Sequence, residues 1–292
     1  MRQNEWNLID FHAKFTEEYM QWCVEHQEQL QKDDADTDAL FYEMYIRWLD
    51  EPKAWLEGAS PRGYFTEMQD AAMLVSAFME YILHDMEVPD PLAERLVEEA
   101  DAVYPIFLNI LMDEHEQQDM SAEQLDEIRA QVLPLIGEMH KPHPYVRYIQ
   151  LLSVREEEDA LGEQLTEALM EVADQYSNQL VQAYAYADGY GRTALLDLFS
   201  RMYGEQKALR ILTDALEEPD ADIVFLAGCL GRLGDPRGAE ALKKLVHKPG
   251  LDYFAFKEIQ NAVDELTGEQ LEEQDFSGDA LYEYLKGEYD EE

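Results

Sequence analysis

The chain has 292 residues, 46% of them hydrophobic, with four Trp and a formal net charge of −42. Its length and apolar content exclude disorder over most of the sequence and are enough for a large core, in one elongated body or two domains. The acid excess argues against direct nucleic-acid binding by the molecule as a whole, because a phosphate backbone needs cationic neutralisation.

Taken in chain order, apolar positions recur at three- and four-residue steps, and no segment reads as a strand. Residues 4–31 form one amphipathic helix through Phe11, Phe15, Tyr19, Trp22, Cys23 and His26. KDDADTD, Lys32 to Asp38, is a charged turn in which Asp36 or Thr37 caps a second helix carrying Phe41, Tyr45 and Trp48, interrupted at Pro52. GASPRG, Gly58 to Gly63, is a turn. Tyr64 to Met86 reads as one central helix, and Asp90 then caps another with Pro91 at its first position. Pro105 lies inside the continuing pattern, so a kink or two helices are expected there. The polar run Asp113 to Met120 is the preferred boundary between halves. Ser121 with Gln124 is a capping-box signature for a helix through Met139, which HKPHP, His140 to Pro144, breaks. Helices follow at Tyr145–Val154 and Leu161–Val172, then shorter ones at Leu180–Ala187, Thr193–Met202 and Lys207–Leu216.

The clearest unit is Asp220 to Val246. Ile223, Leu226, Ala227, Leu230 and Leu233 form one apolar stripe, and Gly234 stops it where a positive φ is needed. Asp235 and Pro236 start a second helix carrying Ala239, Leu242, Leu245 and Val246. Two such short helices cannot bury their apolar faces alone. Asp220 and Asp252 stand 32 residues apart and begin similar helices, a spacing within reach of helical repeats. Leu230 to Val246, with Leu233, Gly234, Asp235 and Ala239, resembles a HEAT repeat of the bacterial type. The resemblance implies an all-α protein: an α-solenoid of HEAT-like antiparallel helix pairs, preceded by a more irregular helical N-terminal half. It implies binding to other macromolecules and carries over no catalytic residues. The expected organisation is an acidic helical region at 1–116, helical repeats at 121–268, and an acidic tail or capping helix at 269–292.

Charge is uneven. Residues 1–191 carry 41 acids against 11 bases and residues 258–292 carry 13 against one, whereas 192–257 hold ten of each. Arg237, Lys244 and Lys248 share one helix face and read as a local basic patch, in contact with the acidic tail or with an external acidic ligand. AYAYADGYGR offers Tyr184, Tyr186, Tyr190 and Arg192, the residue types that most often carry interface energy. Its plainer reading is an inter-helix turn with Tyr184 packed inside.

His84–Asp85 resembles the paired metal ligands of HD-type phosphohydrolases, but the preceding helix lacks the further His that chemistry needs. His140 and His143 flank Lys141–Pro142, with Glu138 nearby and His115 elsewhere in the half; Pro142 forbids a regular helix that would align the two His. Cys23 and Cys229 read as buried thiols of a reducing compartment. The N-terminus has no apolar signal core, and no apolar run reaches the ~20 residues that span a bilayer. These features lead to a cytoplasmic, bacterial, non-enzymatic module without cofactor or metal, binding a protein partner. If that partner is basic, long-range steering favours its approach. The alternatives are an acidic inhibitor of a basic protein (immunity-type or a nucleic-acid mimic) and a helical metal-dependent hydrolase.

Overall fold

The computed structural model describes residues 8–27, 37–112 and 120–289. The fold is 71% helix with no strand among the described residues, and no helix there is long and apolar enough to cross a membrane. By internal contacts the chain divides into two compact units, residues 1–144 and 145–292. The division falls at the end of HKPHP rather than in the polar run 113–120, of which 113–119 lie outside the described residues.

The first unit holds seven described helices: α1 (Phe11–Glu25), α2 (Thr37–Asp50), α3 (Pro61–Thr66), α4 (Ala71–Leu83), α5 (Asp90–Glu98), α6 (Ala100–Met112) and α7 (Ala122–Glu138). Asp10 starts α1 by accepting the Ala13 amide at 2.7 Å, so α1 begins later than expected; the Asp36 cap lies outside the described residues. Phe15 of α1 meets Phe41, Tyr45 and Trp48 of α2 at ring distances of 5.1, 4.9 and 5.5 Å. Beneath this aromatic layer Lys53, 8% exposed, bonds Glu18 at 2.9 Å and Glu51 at 3.3 Å. Burial pushes the Glu18 carboxyl up, but hydrogen bonds led by Lys53 overcome it and hold its pKa below the usual range.

Two expected helices differ from those observed. Tyr64–Met86 is not one helix. Ser60 and Pro61, assigned to a turn, form the N-cap and first position of α3. Asp70 then caps α4 through the Ala72 amide at 3.0 Å. The second difference concerns Pro105, which sits inside α6; the break falls at Glu99, the C-cap of α5. Asp90 occupies the first turn of α5, one residue past the cap position held by Pro89. The Ser121–Gln124 capping box is present, at 3.2 and 3.0 Å. α7 packs on α4, α5 and α6, which makes it part of the first unit's core. Leu74, Phe78, Leu92, Leu96, Phe107 and Ile128 are at most 1% exposed there.

The second unit runs through α8 (Tyr145–Ser153), α9 (Ala160–Met170), α10 (Ser177–Tyr184), α11 (Gly189–Ser200), α12 (Gln206–Ala215), α13 (Ile223–Leu233), α14 (Arg237–Leu245), α15 (Tyr253–Thr267) and α16 (Ala280–Tyr289). α9, α11, α13 and α15 pack each on the next, and α12 packs on α14 beside them. Each of those first four helices begins with an Asp cap: Asp159 to the Gly162 amide, Asp188 to Gly189, Asp222 to Phe225 and Asp252 to Ala255, at 2.7–3.0 Å. The cap of α13 is Asp222 rather than Asp220, so the interval to Asp252 is 30 residues. Gly234 ends α13 at φ +70°, as the stripe required. The N-cap of α14 is Pro236 rather than Asp235, which stands one residue earlier and accepts the Arg237 amide at 3.0 Å.

Candidate functional site

The tyrosine segment forms a packing joint. Gly191 is buried, and a Cβ on it would run into the Leu152 carbonyl oxygen and the Ser153 backbone at the end of α8. This close approach lets the first turn of α11 donate to the loop between α8 and α9: the Tyr190 amide to Glu156 O at 3.0 Å and the Gly191 amide to Arg155 O at 2.8 Å. The Tyr190 ring lies so near Gly162 that a side chain there would strike it. Tyr186, by contrast, is 91% exposed.

Tyr184 and Arg192 belong together. The Arg192 guanidinium stands over the Tyr184 ring at 4.3 Å and reaches Glu218 at 2.5 Å, while Phe199 meets the other aromatic edge at 5.7 Å. Among the described residues the buried Tyr184 hydroxyl has no hydrogen-bond partner, and burial pushes its pKa up. An orphaned hydroxyl costs free energy that a phenyl ring avoids. Tyr184→Phe is therefore expected to leave stability unchanged or raise it by up to about 1 kcal/mol, measured by urea denaturation. A clear loss would reveal a partner for the hydroxyl.

The basic residues separate into two groups. Lys243, outside the expected patch, pairs with Glu269, and Lys257 pairs with Glu273 at 3.1 Å. The stretch after α15 is held further by the Gln260 amide on Leu271 O at 3.0 Å and by Asp279 accepting the Tyr253 amide at 3.1 Å. Phe276 closes this contact against Phe256, ring to ring at 5.1 Å. The tail thus folds onto α14 through Lys243 and onto α15 through Lys257, not through Arg237, Lys244 or Lys248.

Arg237 and Lys244 instead line a groove of about 640 Å³ between α12 and α14. Lys207 and Arg210 face them from α12, Glu205, Glu217 and Glu240 are also in the wall, and Leu209 and Ala241 supply apolar surface. Lys248 is exposed beyond α14 and does not line the groove. Sequence reasoning missed Lys207 and Arg210. A signal was present, since Lys207 precedes Arg237 by 30 residues, the same interval that separates the Asp222 and Asp252 caps.

The other candidates stay apart. His84 caps α4, is exposed and pairs with Glu80 at 3.5 Å, and Asp85 follows at φ +54°. His140 takes φ +53° in the break after α7, and burial lowers the pKa of His143; His115 lies outside the described residues. Among the described residues no three His, Cys, Asp or Glu gather as metal ligands would. Cys229 is fully buried and its thiol is pushed up to about 12 by burial, whereas Cys23, expected to be buried, is only half-buried. Neither a protein-family model nor a curated protein matches the chain.

Proposed function

We propose that this protein is a non-enzymatic interaction module. In this reading its second unit is a HEAT-like α-solenoid that presents a helical-repeat surface to a protein partner. The observation that carries it is the α12–α14 groove, an open, charged furrow between neighbouring helices at matching places in successive helix pairs. Stacked pairs of this kind present such furrows without added loops. The Asp caps at 159, 188, 222 and 252, 29 to 34 residues apart, support the repeat. The test is affinity purification of the full chain beside the Lys207→Glu/Lys244→Glu double variant. A protein recovered in stoichiometric amount with the wild type and lost with the variant supports the reading; no stoichiometric protein contradicts it.

A second reading is an acidic inhibitor of a basic protein, and the 41 acids of residues 1–191 favour it. It makes the opposite prediction for the same pair of proteins. A basic partner would be retained by the double variant and released by salt, because exposed charges more than about 10 Å apart are screened at ~0.1 M.

A further inference from the structure

We infer that the α12–α14 groove receives an acidic segment of the partner protein, with its carboxylates on Lys207 and Lys244. This rests on the interaction-module reading and specifies the partner's chemistry. The ten cations of residues 192–257 are the starting point. Seven have carboxylates: Arg192 with Glu218, Arg201 and Arg232 with Asp197, Arg210 with Asp214, Arg237 with Asp235, Lys243 with Glu269 and Lys257 with Glu273. Among the described residues the Lys207 ammonium bonds only the neutral Asn178 amide oxygen, at 2.6 Å. Among the described residues Lys244 and Lys248 have no ion pair; the pairs near them are those of Lys243 with Glu240 and with Glu269. Two of the three cations without a carboxylate therefore line one groove.

Among the described residues none of the three acids in the groove wall, Glu205, Glu217 and Glu240, forms an ion pair with Lys207 or Lys244. Glu205 accepts the Lys207 amide at 3.2 Å, the helix-start bond of α12, and Glu240 lies 3.5 Å from Lys243. Ligand carboxylates would complete the pattern already made by the neighbouring cations. Opposition from the net charge of −42 is mostly distant. At ~0.15 M salt the screening length is about 8 Å, so a segment lying in the groove responds mainly to the groove's own charges, in which Lys207, Arg210, Arg237 and Lys244 outnumber Glu205, Glu217 and Glu240. A nucleic acid brings a continuous phosphate line beyond the groove into the acidic surroundings, which favours the short protein segment. The apolar surface is limited to Leu209 and Ala241, which suits an extended chain with small side chains between its acids.

The experiment is fluorescence anisotropy on the full chain, with a short labelled Glu/Ala peptide, a Lys/Ala peptide and a single-stranded oligonucleotide as probes. The Glu/Ala peptide is expected to bind, and Lys207→Glu and Lys244→Glu each to weaken it about tenfold, or ~1.4 kcal/mol. Lys248→Glu, outside the groove, should change it by less than about twofold. Thermal melts of all variants establish that the fold is kept, and Lys207→Gln supplies a milder variant should the reversal unfold the chain. Absence of Glu/Ala binding overturns the inference, as does binding insensitive to both groove reversals. Tighter, groove-dependent binding of the oligonucleotide or the Lys/Ala peptide overturns it in favour of that chemistry. If the acidic peptide fails while a purified partner is still lost with the double variant, only the acidic assignment falls. If no partner is recovered either, the interaction-module reading falls with it.

Discussion

Gly191→Ala is expected to destabilise the second unit by about 3 kcal/mol, a large effect for a single methyl group. The added carbon meets the Leu152 carbonyl oxygen and the Ser153 backbone, which unlike a side chain cannot rotate away. α11 must then withdraw from α8. That movement stretches the hydrogen bonds from Tyr190 to Glu156 and from Gly191 to Arg155. Gly228→Ala is the matched control. It lies inside α13, and the new carbon would meet only the movable Arg232 guanidinium one turn on, at 3.6 Å, so helix propensity should stabilise it by up to about 1 kcal/mol. Urea denaturation of both variants reads the opposite signs. A neutral Gly191→Ala would mean that the joint is looser than described and would return the segment to consideration as a free surface.

The second large effect belongs to the first unit. Phe78 is 1% exposed on α4, with its ring 5.7 Å from that of Phe107, fully buried on α6. Truncation to Ala removes a whole ring from a packed layer and should cost about 3–5 kcal/mol. Two compact units need not unfold in one step, so a single midpoint is an ambiguous readout. Hydrogen exchange of the α4 and α6 amides is local and should accelerate strongly. Unchanged protection there would contradict their mutual packing.

These cases show where the sequence was informative. Gly234 followed a clean apolar stripe, and its positive φ is a local requirement that the neighbouring residues announce. The Ser121–Gln124 box is equally local. The break between α3 and α4 left no mark on the periodicity, because Phe65, Met68 and Ala72 keep helical spacing across it. Asp70 was the available signal. Pro105 was a misleading one: it sits near the middle of α6, while the chain had already turned at Glu99.

The site was less legible for a related reason. Gly191 is defined by Leu152, on a helix distant in sequence, and no pattern around Gly191 names that contact. Tyrosines and an arginine beside two glycines consequently looked like a binding motif. The basic patch was recognised on α14 alone. Its opposing wall on α12 depends on which helices become neighbours, and the same dependence sends the tail to Lys243 and Lys257.

The most direct measurement places a photo-crosslinking amino acid at Ala241, in the groove wall, and another at Glu163, exposed on α9. Both full-length proteins are irradiated in cells, and the crosslinked products are identified by mass spectrometry. A groove that holds an acidic partner segment predicts one dominant protein adduct at Ala241, joined within an Asp/Glu-rich stretch, and none at Glu163. Equal, diffuse adducts from both positions, or none from Ala241, would contradict it.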